Sequence, residues 1–138
     1  MSHLQGGIAV ITGAASGFGL ESCRIAARLG MRIVMADVQA DALAAAQREI
    51  EALGAPVLPF RLDVSKAVEV EALAAATLQR FGTPHFVFNN AGVGAGGLIW
   101  EHTLKDWEWV IGVNLMGVAH GVRVFTPLML AVLTMSPR

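Results

Sequence analysis

The chain has 138 residues and is short of several things at once. It holds one cysteine, Cys23, which excludes an intrachain disulfide. No Cys or His group stands at a metal-ligand spacing, so no metal is expected, and the lone thiol points to a reducing cytoplasm. Charged residues are only 15% of the chain and sum to a formal charge of -1, with the bases scattered. That leaves no electrostatic footprint for nucleic acid or for an anionic membrane surface. The N-terminus lacks a basic segment followed by an apolar core, so no signal peptide is expected. The apolar stretch 125–135 carries Pro127 and two threonines and is too short to cross a bilayer. Tyrosine is absent altogether. Apolar residues, by contrast, make up 54% of the chain, and the mean hydropathy is +0.56. The length suits one domain with a sizeable core, and the apolarity suits a parallel sheet buried on both faces.

Along the chain, short apolar runs alternate with segments of helical spacing. The strands are expected at 8–11, 32–37, 57–64 and 85–89. Pro59 near the start of the third marks it as an edge strand. Helices are expected at 20–29, 41–53 and from Ser65, as N-cap, to Phe81. Gly30, Gly54 and Gly82 stand where helix C-termini are expected. Thr103 with Asp106 three residues on reads as a capping box opening a longer last helix. Alternation with short joints calls for a right-handed, mostly parallel α/β sheet of the doubly wound Rossmann type. Residues 1–138 read as the N-terminal portion of one dinucleotide-binding domain, ending after about four strands and the following helix.

The segment Thr12-Gly13-Ala14-Ala15-Ser16-Gly17-Phe18-Gly19 follows the first strand and opens a helix. Glycines let a ligand approach the backbone closely, and a helix N-terminus offers unpaired N–H groups to a pyrophosphate. Asp37 ends the second strand, 18 residues past Gly19. An acid there accepts hydrogen bonds from the adenosine ribose hydroxyls. It also repels a 2′-phosphate, since two like charges about 4 Å apart at an effective dielectric near 20 repel by roughly 4 kcal/mol. Val38 follows Asp37 and Ser16 precedes Gly17, so neither place offers a cation to a phosphate. NAD is therefore expected over NADP. The competing reading is that Asp37 merely caps the next helix.

With these residues in order, the chain resembles the N-terminal half of the short-chain dehydrogenase/reductase family. The resemblance rests on Thr12-Gly13-x-x-x-Gly17-x-Gly19, Asp37, Leu62-Asp63-Val64, Asn89-Asn90-Ala91-Gly92 and Val113-Asn114-Leu115-x-Gly117. It implies that Asp63 and the Val64 backbone meet the adenine. It implies that Asn90, Ala91 and Gly92 sit beside ribose and pyrophosphate, with Val113 behind them. Asn114 would support the proton relay of the reaction. Asp63 would serve equally as a helix N-terminal flank, and the Asn pair as turn residues. The resemblance also implies a homo-oligomer with the last helix at a subunit interface, and a small alcohol or carbonyl substrate.

The family's chemistry uses Asn, Ser and a Tyr-x-x-x-Lys motif on a later helix. Of these only Asn114 is expected here, because the chain has no tyrosine and its lysines are Lys66 and Lys105. By itself this sequence is not expected to transfer hydride. Three readings remain: the N-terminal half of an NAD-dependent oxidoreductase, an inactive NAD or adenine-nucleotide binder, and an interaction fragment that pairs with a full-length relative. The tryptophans 100, 107 and 109 are expected in core or subunit contacts. Met116, Met129 and Met135 read as packing residues, Cys23 as a small buried helix residue, and the four histidines as surface or core. The ending 133–138 does not resemble the family's next strand.

Overall fold

The structure, a computed structural model, describes residues 3–135. Four strands, β1 (Ile8–Thr12), β2 (Arg32–Asp37), β3 (Val57–Arg61) and β4 (Phe86–Phe88), form one sheet. Its order is β3-β2-β1-β4, and every pairing is parallel. The helices are α1 (Gly17–Arg28), α2 (Ala40–Ala52), α3 (Ala67–Arg80), α4 (Leu104–Ile111) and α5 (Gly117–Met135), with a single 3-10 turn at Ile99–Glu101. This is the expected Rossmann-type α/β fold. Chain order reverses between β1 and β4, as expected, and β3 with its Pro59 lies on an edge.

Strand alternation sorts the core into two layers, because successive side chains point to opposite faces. Ala9, Ile11, Ile33 and Met35 face α1 and α2, where Cys23, Leu43 and Ile50 pack on them. Val10, Val34 and Ala36 face Val70 and Leu73 of α3 and Phe125 of α5. β1 is buried along its whole length, which explains why it reads as a continuous apolar run. Burial pushes the Cys23 thiol up to about 12, against the opposing pull of Arg24, so it is a packing residue as expected.

Helix boundaries depart from expectation where local polar bonds intervene. α1 begins at Gly17, ahead of its apolar spacing. β3 ends at Arg61 rather than at Val64, because Asp63 starts a turn in which Ser65 bonds back to its carboxylate. For the same reason Ser65 is not the N-cap of α3; Lys66 holds that place without a side-chain capping bond. The Thr103–Asp106 capping box is present with both of its bonds.

The last helical stretch is the larger surprise. Helix runs from Leu104 to Met135, 32 residues, with its turns widened to π geometry at Gly112–Met116. By length and composition it is apolar enough to cross a membrane, with mean hydropathy 1.5 in its best window, a property not visible from 125–135 alone. Its inner face is a stripe at four-residue spacing, Val113, Gly117, Gly121 and Phe125, buried against α3 and the loops after β3 and β4. A Cβ on Gly117 would lie 2.6 Å from Val64 Cγ2, and one on Gly121 would overlap the Asn89 carboxamide. The outer face stays bare. Met116 and Met135 are exposed, against the packing expected of them, and Met129 packs partly into the core; Trp100, Trp107 and Trp109 are exposed on this chain rather than in its core. Residues 133–135 continue α5, and 136–138 lie outside the described residues.

Candidate functional site

The C-terminal ends of all four strands open into one cleft of about 440 Å³. Every residue expected to bind a cofactor lines it except Gly19: Gly13, Ser16, Gly17 and Phe18 from the glycine turn, Asp37 and Val38 after β2, Asp63 and Val64 after β3, Asn90, Ala91 and Gly92 after β4, and Val113 from the π turn. Gly19 lies beneath, and it shapes the turn. A Cβ there would run into the Gly13 carbonyl oxygen and come within 2.7 Å of Asn90 Nδ2. Gly13 and Gly17 have φ of 64° and 55°, conformations that disfavour side chains.

The helix N-terminus within this cleft is left open. Ser16 precedes α1 in extended conformation and makes no side-chain capping bond. The first α1 amide with an intrahelical partner is that of Leu20, which donates to the Ser16 carbonyl. The amides of Gly17, Phe18 and Gly19 therefore have no intrahelical acceptor, and the positive end of the helix dipole stands at the cleft. A backbone cradle without side chains, capped by open donors, fits a pyrophosphate.

Asn90 ties the end of β4 to the end of β1. Its Nδ2 donates to the carbonyls of Thr12 (3.2 Å) and Gly13 (3.4 Å). Thr12 Oγ1 returns the tie by accepting the amides of Asn90 (3.0 Å) and Ala91 (3.1 Å). The glycine turn is thus bolted to the loop after β4. Asn89 turns the other way, toward Gly121.

Two carboxylates stand on the opposite wall. Asp37 accepts from the Ala15 amide through Oδ2 (3.1 Å) and from the Gln39 amide through Oδ1 (3.0 Å). The Gln39 bond turns the chain ahead of α2, but the N-cap of that helix is Gln39, so Asp37 is not its cap. Asp63 Oδ1 takes both the Ser65 amide (2.9 Å) and the Ser65 hydroxyl (2.7 Å). Partial burial works to raise the Asp63 carboxyl, but the Ser65 bonds and the Lys66 and Arg61 charges outweigh it and hold it below its ordinary value. Among the described residues no lysine or arginine lines the cleft. Arg61 reaches its rim, where its Nε donates to the Val38 carbonyl (3.2 Å).

Asn114 is brought into the same neighbourhood. Its carboxamide pairs both ways with Val93: Oδ1 accepts the Val93 amide and Nδ2 donates to the Val93 carbonyl, each at 2.8 Å. The helix widens to π geometry around it, so an Asn that is unfavourable in a regular helix gains a partner. Trp109 also lines the cleft and was missed as a site residue. The signal was available, since it precedes Val113 by one helical turn and shares its face. Among the described residues no His, Cys, Asp and Glu cluster suits a metal.

A parallel sheet with an open glycine-turn cleft at its switch point defines the nucleotide-binding α/β class. The chain belongs to the short-chain dehydrogenase family, whose model matches residues 7–134. It is 40% identical over 133 residues to a C alpha-dehydrogenase of Sphingobium sp., covering 95% of this chain and 43% of that protein. Among solved structures it resembles a short-chain dehydrogenase/reductase from Burkholderia phymatum in complex with NAD, with TM-score 0.92 and 55% identity, covering 96% of this chain and 47% of that one. It also resembles L-sorbose reductase from Gluconobacter frateurii complexed with NADPH and L-sorbose, with TM-score 0.86 and 32% identity, covering 93% and 49%. The chain spans about half the length of the curated relatives it matches.

Proposed function

We propose that this chain is the dinucleotide-holding part of an NAD-dependent oxidoreductase that interconverts an alcohol and a carbonyl compound in the cytoplasm. The observation that carries the choice of NAD is the cleft's charge. Among the described residues two carboxylates, Asp37 and Asp63, line it and no lysine or arginine does, which favours ribose hydroxyls over a 2′-phosphate. The open amides at 17–19 would hold the pyrophosphate, Asp37 the adenosine ribose, and Asp63 with Val64 the adenine. Asn90 and Thr12 keep the turn in place, and Ala91, Gly92 and Val113 leave room along the strand ends. When bound, the nicotinamide accepts or gives up the hydride. Asn114 contributes by holding the loop at Val93. The Ser and Tyr-x-x-x-Lys groups of the family's proton transfer have no counterpart among these 138 residues.

Calorimetric titration of the purified chain with NAD and NADP tests this reading. Binding of NAD at least about tenfold tighter, equivalent to about 1.4 kcal/mol, is expected. Equal affinity, or preference for NADP, overturns the assignment, and no binding of either overturns the dinucleotide reading for this chain.

A second reading has its own observation. β4 is an edge strand of three residues, and the outer face of α4 and α5 is apolar and exposed. Such surfaces favour pairing with further protein, as a homo-oligomer or with a full-length relative. Sedimentation of the chain alone and mixed with such a relative checks it, a monomer in both cases counting against it.

A further inference from the structure

We infer that Asp37 is a positioning residue which holds the glycine turn from the β2 side, and so couples the ribose end of the cleft to its anion end. This inference rests on the dinucleotide reading above but asks something more of Asp37 than contact with ribose. Two bonds join the turn to the end of β2. The Ala14 amide donates to the Ala36 carbonyl (3.1 Å), and the Ala15 amide donates to Asp37 Oδ2 (3.1 Å). The second falls immediately before Ser16 and Gly17, where the open amides of α1 begin.

The equivalent acid at the end of β3 shows that this reach is particular to Asp37. Asp63 also bonds to the amide two residues ahead, but its remaining bond goes to the hydroxyl of that same Ser65. Asp37 makes the local bond to Gln39 and spends its other oxygen on a segment 22 residues away. The turn is therefore suspended between two side chains, with Asn90 holding Thr12 and Gly13 from the β4 side and Asp37 holding Ala15 from the β2 side.

Residue chemistry explains why a carboxylate is needed. Ionised Asp accepts through both oxygens and has about four lone-pair sites, so two amides leave two sites for a pair of vicinal hydroxyls. An Asn accepts through one oxygen only and would turn an NH₂ group toward an N–H donor. Removing the charge and removing the tie then have opposite consequences for an anion on the turn. Electrostatics alone predicts tighter anion binding once a nearby carboxylate is neutralised. Loss of the tie predicts weaker binding, because the donors are no longer preorganised.

The experiment compares the wild-type chain with Asp37→Asn, using inorganic pyrophosphate as a probe that lacks ribose. Pyrophosphate affinity is expected to fall about fivefold, the size of one lost hydrogen bond. The Ala15 amide is expected to exchange with solvent at least about tenfold faster, while the amides of Val10 and Val34 stay protected. Pyrophosphate binding that is unchanged or tighter in the variant overturns the inference. Exchange of the Ala15 amide in ligand-free wild type at the rate of an open amide also overturns it, and needs no folded variant. Ala15 protection that Asp37→Asn abolishes, in a chain whose wild type binds neither NAD nor pyrophosphate, supports the tie and counts against the dinucleotide reading instead.

Discussion

The chain up to α3 and the chain from β4 onward are built to different standards. β1 and β2 are buried almost throughout, and α1, α2 and α3 each bury three or four residues against them. β4 has three residues and none is fully buried; α4 buries none, and α5 buries three of its 19. Yet the second region completes the cleft, through Asn90 to Val93, Trp109 and Val113. A well-packed scaffold carries the turn, while a thinly packed segment closes the site over it. What joins them is partly polar and partly apolar: the Thr12–Asn90 bonds, the Arg123–Glu71 pair, Gly117 pressed against Val64, and Phe125 buried in one cluster with Val10 and Val34.

The largest effect on nucleotide binding should come from disturbing the glycine turn where it meets Asn90. Gly19→Ala forces a Cβ into the Gly13 carbonyl, so the turn must move; nucleotide affinity should fall at least about tenfold, with about 1–3 kcal/mol of stability lost. Gly94→Ala, with nothing within 4 Å, should change neither in the same titration and denaturant melt. Next comes the packing contrast. Ile33→Ala at a fully buried position should cost about 2–5 kcal/mol, whereas Leu130→Ala, 54% exposed, should stay within about 0.5 kcal/mol. Equal losses in urea unfolding would erase the distinction between the regions.

A smaller effect is expected at the start of α4. Thr103→Ala removes the acceptor for the Asp106 amide and should cost about 1 kcal/mol in the same denaturant melt. The smallest is a pH effect at Asp63. Its carboxyl is lowered in the folded chain, so its contribution to stability is present above the ordinary carboxylate range and is lost as pH falls through the folded value. Asp63→Asn should flatten that acid limb of the stability curve while leaving Arg24–Glu49, the α1–α2 ion pair, intact.

Much of this was legible in the chain because the informative patterns are local. Strand and helix alternation, the open glycine turn and the acids at strand ends all follow from spacing over a few residues. Burial on both faces makes β1 and β2 continuous apolar runs, and a capping box such as Thr103–Asp106 is complete within four residues. Trp109 was misread for a related reason. Its type suggested packing, and only its phase against Val113 pointed to the cleft.

Tertiary structure decided the features that depend on who stands next to whom. Gly117 and Gly121 have meaning only once Val64 and Asn89 arrive against them from other elements. The second hydrogen bond of Asp37, across 22 residues to Ala15, has no signature in spacing at all. Backbone periodicity and turn chemistry are written along the chain; contacts between distant segments exist only after the sheet has brought its strand ends together.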